Sequence, residues 1–158
     1  MKFDQETLEK LWDETTPKLF GYLVNTLHDK ALAEDILQAT WTKALGALPA
    51  YRDRGIPFSA WLFAIARNEC KLHWRASNRE VPFDAQDHDI AIEPASQDHV
   101  LAEQILAKLP EDDRELLRLR YIADLPMNSI AKILHTNVVA VRVRVHRALK
   151  RASAIYHV

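Results

Sequence analysis

Apolar residues recur at helical spacings along most of this chain, and no long run alternates apolar with polar positions as a half-buried strand would. Leu8, Leu11, Trp12, Leu19, Tyr22, Leu23 and Leu27 predict one long helix, or two collinear pieces meeting at Pro17. His28 and Asp29 make a turn. A second helix follows over 31–48, with Leu32, Ile36, Ala39 and the stretch 43–47 on its inner side and Glu34, Asp35, Gln38, Trp41 and Thr42 on its outer side. Two prolines and Gly55 mark 49–57 as a loop. A third helix spans 57–79 and turns Phe58, Trp61, Leu62, Ile65 and Leu72 inward. The period then disappears. Helix resumes near Val100, breaks at Pro110 and starts again as EDDRELLRLRYIAD, where Leu116, Leu117, Leu119 and Tyr121 supply a core.

The last stretch has the strongest pattern. Ile130, Ala131 and Leu134 form a short apolar stripe, residues 135–137 interrupt it, and Val141, Val145, Ala148 and Ala152 resume at spacings of a helix. Asn137 is the expected N-cap, with the new helix starting near Val138. Helix, turn, helix is the expected motif. The fold class is all-α: two small helical domains, 1–79 and 99–158, joined by a flexible acidic linker at 80–98.

Charge sharpens this division. The 158 residues carry a formal net charge of −1, but the segments differ: −2 over 1–56, +2 over 57–80, −5 over 81–98, −2 over 99–124 and +6 over 125–158. The last segment has six Lys or Arg and no Asp or Glu. A polyanion is therefore expected at two separated places. On the final helix Val139, Val143, His146, Arg147 and Lys150 fall opposite the apolar stripe, with Arg142 on one flank, an arrangement suited to the major groove of DNA. In the first half, Tyr51, Arg52 and Arg54 in the loop stand beside a helix carrying Arg67, Asn68, Lys71, Arg75 and Arg79; cations that track a backbone and rings that stack on bases are the ingredients of single-strand binding. Trp41 among carboxylates and amides is an interface signature if it faces outward, and the alternative is a Trp folded into the core.

Other chemistry is sparse. Cys70 has no partner for an internal disulfide, sits in an apolar helical run and reads as a small core residue in a reducing, cytoplasmic setting. His88 and His99, with Asp87 and Asp89, do not meet a metal-ligand spacing. No carboxylate pair, nucleophile with its base or glycine-rich phosphate loop points to an enzyme or a cofactor. No window approaches the ~20 apolar residues needed to cross a bilayer, so no membrane insertion is expected.

With both halves in view, the chain resembles an extracytoplasmic-function (ECF) sigma factor, the smallest type of bacterial RNA polymerase sigma subunit. AEDILQATWTKAL is similar to the family's core-polymerase helix and FSAWLFAIARNECKLHWR to its minus-10 promoter helix. LPEDDRELLRLRYIADLPMNSIAKIL followed by VRVRVHRA is similar to its minus-35 reading domain. The resemblance implies an initiation factor that joins core RNA polymerase and directs it to promoter DNA, with an anti-sigma factor as a further possible partner. Asp35, Gln38 and Trp41 would dock on polymerase; Tyr51, Arg52, Arg54, Asn68, Lys71 and Arg75 would engage the melted minus-10 strand; Val139, Arg142, Val143, His146, Arg147 and Lys150 would face the minus-35 element. Some positions depart from the family pattern: Ala39 stands where an acid is common, Asn128 and Ser129 replace a usual glutamate pair, His135 replaces a turn glycine and Val143 a serine. A non-glycine turn implies strain at His135 or a different turn, and Val143 brings only apolar contact, as to a thymine methyl. The competing class is a helix-turn-helix regulator that never joins polymerase. Such a protein would have no use for the Asp35, Gln38 and Trp41 surface beside an aromatic and basic helix.

Overall fold

The computed structural model describes residues 3–52, 56–80 and 97–157, without the side chains at 78–80 and 97–100. Among these residues every regular element is helical. The chain divides into two compact units, Met1–Ile90 and Ala91–Val158.

The first unit packs α1 (Gln5–Leu27), α2 (Lys30–Ala47) and α3 (Phe58–Glu80) against one another, with a short 3₁₀ turn at Leu48–Ala50. The ends of α1 and α2 follow from local chemistry. Asp4 caps α1 by accepting from the Thr7 N–H at 2.7 Å, and Asp29 caps α2 by accepting from the Leu32 N–H at 3.1 Å. Between them His28 takes a left-handed φ of 53°, which reverses the chain at the end of α1. Pro17 lies inside α1, which is one continuous helix. The core interleaves Leu19, Tyr22 and Leu23 of α1, Ala33, Ile36, Trp41 and Ala44 of α2, and Phe58, Leu62, Phe63, Ala66 and Cys70 of α3. Each large side chain so buried is worth about 1.5–3 kcal/mol relative to exposure. Tyr22 meets Phe63 edge to face with centroids 5.6 Å apart. The buried hydroxyls of Thr26 and Thr40 donate to the carbonyls four residues back, Tyr22 O and Ile36 O, each at 2.7 Å.

The second unit contains α4 (Gln97–Lys108), α5 (Glu111–Leu117), a π-helical turn at Arg118–Ile122, α6 (Met127–Ile133) and α7 (Val138–Tyr156). Leu109, Leu117 and Ala148 pack with Leu106, Ala152 and Ile155, which joins α4 and α5 to the inner stripe of α7. Three acids, Glu111, Asp112 and Asp113, open α5, as its dipole favours. Asp113 also accepts from Arg151 Nη1 at 2.7 Å and so ties the start of α5 to the far half of α7. Arg118 is 2% exposed. Its guanidinium donates to Glu115 Oε2 at 2.9 Å and also reaches Glu111. Burial would lower the Arg118 pKa, but the charges of Glu115 and Glu111 outweigh it and hold the group above its ordinary value.

Several sequence expectations are corrected. Trp41 is buried, not outward. The inner side of α2 is Ala33, Ile36, Thr40, Trp41 and Ala44, so Leu32 and Ala39 are only half-buried and, of 43–47, only Ala44 is buried: the indole packs inward against Trp12 and Thr16 of α1. Leu72 is exposed, because the inner line of α3 runs through Ala66, Glu69 and Cys70. Tyr121 is 58% exposed. The π turn breaks the period that would have carried it inward, and Ala123, whose N–H donates to Arg118 O, takes the inner place. α3 reaches Glu80 and α4 begins at Gln97, so both extend into the stretch expected as linker. Residues 81–96, with His88, and the His99 side chain lie outside the described residues.

Candidate nucleic-acid interface

The helix-turn-helix is built by backbone geometry at two adjacent points. α6 ends with His135 in the left-handed region at φ 55°, the Thr136 N–H donating to Ala131 O at 2.8 Å and the His135 N–H to Lys132 O at 3.3 Å. This pair of bonds is the Schellman closure, here achieved without glycine. Two residues later Asn137 adopts extended geometry and its Oδ1 accepts from the Ala140 N–H at 2.8 Å, starting α7 at Val138. The turn residue of the sequence reading is thus left-handed, and the expected N-cap is the cap.

α7 then has two chemically distinct sides. Val141, Val145 and Ala148 are buried. Val139, Arg142, Val143, His146, Arg147 and Lys150 are all exposed, Val139 at 68% and Val143 at 42%. Arg151 also belongs to the basic stretch, but its guanidinium bonds Asp113.

In the first unit, Tyr51, Phe58 and Trp61 form an aromatic cluster, with the Tyr51 and Trp61 rings 4.8 Å apart. The Tyr51 hydroxyl donates to Ile56 O at 3.0 Å. Arg52 is exposed and its Nη1 donates to Pro49 O at 3.0 Å and Tyr51 O at 2.8 Å, so it is held against its own loop. Tyr51, Arg52 and Trp61, with Ala47 and Ala50, line an open groove of about 400 Å³. Arg54 lies outside the described residues. Farther along α3, Asn68, Lys71 and Arg75 are exposed at helical spacings. Trp74 is 41% exposed next to them. Its sequence setting, LHWR, sets an aromatic ring beside a basic residue and is the signal that marks it.

On α2, Asp35 and Gln38 are exposed. Trp41 does not share their face: its ring lies against Trp12 at 4.6 Å and its indole N–H donates to Thr16 Oγ1 at 3.2 Å. Beside it opens a groove of about 510 Å³ lined by Leu8, Trp12 and Leu45 with the acids Glu9 and Asp13. Trp12 and Leu45 are 43% and 48% exposed. Lys43 pairs with the largely buried Glu69 and so links α2 to α3. Among the described residues no cluster of His, Cys, Asp and Glu could hold a metal, and no helix is long and apolar enough to cross a membrane.

Family models match on both units: Sigma-70 region 2 over residues 5–80 and Sigma-70, region 4 over residues 99–151. The chain is 38% identical over 134 residues to the ECF RNA polymerase sigma factor ShbA of Streptomyces griseus, covering 77% of this chain and 70% of that protein. It is 32% identical over 163 aligned positions to the ECF RNA polymerase sigma factor SigD of Mycobacterium tuberculosis, covering 94% of this chain and 76% of that one. Among solved structures, the sigma factor RpoE from Bartonella quintana, in complex with the anti-sigma factor NepR, superposes with a TM-score of 0.80 at 26% identity, covering 97% of this chain and 98% of that one.

Proposed function

The chain belongs to the ECF RNA polymerase sigma factors and is an alternative sigma factor directing polymerase to promoters; from that premise we propose how its surfaces divide the work. The outer face of α7 enters the minus-35 major groove: Arg142, His146 and Arg147 reach base edges and Lys150, a turn later, meets phosphate. The observation that carries this is the excess of positive charge in that segment, +6 over 125–158, with Arg142, His146, Arg147 and Lys150 exposed on a helix whose inner side packs into the core. The open groove at Tyr51, Arg52 and Trp61, with Arg54 in the same loop, takes unstacked bases of the minus-10 strand, and Asn68, Lys71 and Arg75 track its backbone. Asp35 and Gln38 dock on core polymerase, with Trp41 as a buried support behind them and not a contact.

The domain limits follow the same division: a promoter-melting domain over 1–79, a linker over 80–98 whose two ends continue α3 and α4, and a minus-35 domain over 99–158. The protein works in the cytoplasm with polymerase, performs no chemistry of its own, and has an anti-sigma protein as a regulatory partner, a reading supported by the RpoE–NepR likeness.

The test is reconstitution. The chain added to bacterial core polymerase should start transcription at a defined set of genomic sites, and Asp35→Lys with Gln38→Ala should abolish this with the fold intact. The free chain, with its net charge of −1, should bind promoter duplex weakly until polymerase is present. Tight, sequence-specific binding by the free chain, with no effect on polymerase, would establish the regulator reading instead.

A further inference from the structure

α7 contains five valines, at 138, 139, 141, 143 and 145. Val141 and Val145 are buried and Val138 is half-buried, so the fold accounts for three. Val139 and Val143 are exposed at 68% and 42%. β-Branched residues are among the weaker helix formers, and at an exposed position no burial offsets that cost. The two stand four residues apart on the side flanked by Arg142, His146 and Arg147, in a segment with no acidic residue. Val139 is the second residue of the helix, at the end from which a recognition helix reaches base edges.

The apolar group that a base pair presents in the major groove is the C5-methyl of thymine. We infer that Val139 and Val143 form an apolar reading pair that selects thymine methyl groups at two positions of the minus-35 element. The stiff χ1 of valine holds its methyl groups ready without a loss of rotamer freedom on binding. Four residues advance the helix by about 6 Å, and base pairs stack at about 3.4 Å, so the two thymines should lie one to two pairs apart. This deepens the assignment of α7 to the minus-35 groove and rests on it.

The experiment uses holoenzyme and a promoter obtained by mapping its transcripts in vitro. Each thymine of the minus-35 element is replaced in turn by deoxyuridine, which removes only the methyl and keeps every hydrogen bond. The parent protein should bind three- to fourfold more weakly at each of two positions, the factor to which ~0.8 kcal/mol per methyl group corresponds. Val139→Ala should become indifferent to the methyl at one position and Val143→Ala at the other; Val→Thr at each site keeps the shape if alanine disturbs the complex. An element without thymine, neutral deoxyuridine at every position, or a methyl response unchanged in the valine variants would overturn the inference. An unchanged methyl response in a valine variant that instead alters self-association would assign the pair to a protein contact. Arg147→Ala runs alongside: if it changes base preference while deoxyuridine is neutral, the helix assignment stands and the methyl pair falls. If no α7 variant alters preference, the assignment itself has failed.

Discussion

Replacing Trp41 by alanine separates a supporting role from a contact role. The side chain is 3% exposed, lies 4.6 Å from the Trp12 ring and 6.1 Å from that of Phe58, and donates its N–H to Thr16. Truncating a buried Trp costs about 3–5 kcal/mol. The hydrogen bond accounts for only about 1 kcal/mol of this, since the half-buried Thr16 hydroxyl can turn to water. A loss of about 4 kcal/mol approaches the total of about 5–15 kcal/mol available to a domain. At about 4–8 °C per kcal/mol for a unit this small, the melting temperature of the first unit should fall by roughly 15–30 °C. Urea and thermal melts followed by circular dichroism measure this on the full chain. Trp41→Phe keeps most of the packing, should cost about 1–2 kcal/mol, and leaves enough folded protein to titrate with core polymerase. Per folded molecule its affinity should equal the parent's. A Trp41→Ala protein that melts like the parent but loses core affinity would refute the reasoning and return Trp41 to the interface.

Other outcomes follow from single features. Arg147→Ala should cost about 1–3 kcal/mol at the preferred minus-35 sequence and flatten one base preference, whereas Lys150→Ala should weaken all sequences alike and lower the salt slope by about one, which promoter-library transcription at two salt concentrations distinguishes. His135→Gly, at φ 55°, should stabilise the second unit by up to about 1 kcal/mol in urea melts, and His135→Val should destabilise it. Arg118→Ala removes the buried guanidinium that Glu111 and Glu115 both contact and should cost about 3–5 kcal/mol; Arg118→Met, of similar length and apolar, should cost less in the same melts. The Asp4 carboxyl, held below its ordinary pKa of 3.8 by its bonds to Thr7, stabilises the first turn of α1 above the unfolded-state pKa, and this is lost as pH falls through the folded value. Thr7 amide exchange in acid should therefore accelerate more than in Asp4→Asn.

The sequence reading fared best where one pattern had one solution. On α7 the apolar stripe and Asn137 leave a single phase, and both its faces and its cap were legible. On α2, Trp41 sits at the border between the inner line and the Asp35 and Gln38 face, where a helical wheel permits either side; the choice depends on Trp12 and Thr16, which are 29 and 25 positions earlier in the chain. Leu72 is exposed because small Ala66 and Cys70 let α3 pack close along another line, a tertiary choice that apolar spacing alone does not encode. The burial of Arg118 was not legible either, because an arginine in EDDRELLRLR counts as a surface charge until Glu111 and Glu115 are seen to enclose it.

The π turn at Arg118–Ile122 makes the aim of the reading helix a matter of counting. An i→i+5 bond from Ala123 to Arg118 closes a turn with one residue more than an α-helix holds. Removing one residue there would restore the ordinary repeat and swing everything after it by about the 100° that one helical residue subtends. α6 and α7 would keep their caps, core stripe and basic face and still point elsewhere relative to α5. Length at this one turn, together with the packing of Leu117 on Ala148 and the Asp113–Arg151 bond, therefore sets the bearing of the second unit's outer face, so a one-residue deletion here should be more damaging to promoter choice than to helix content.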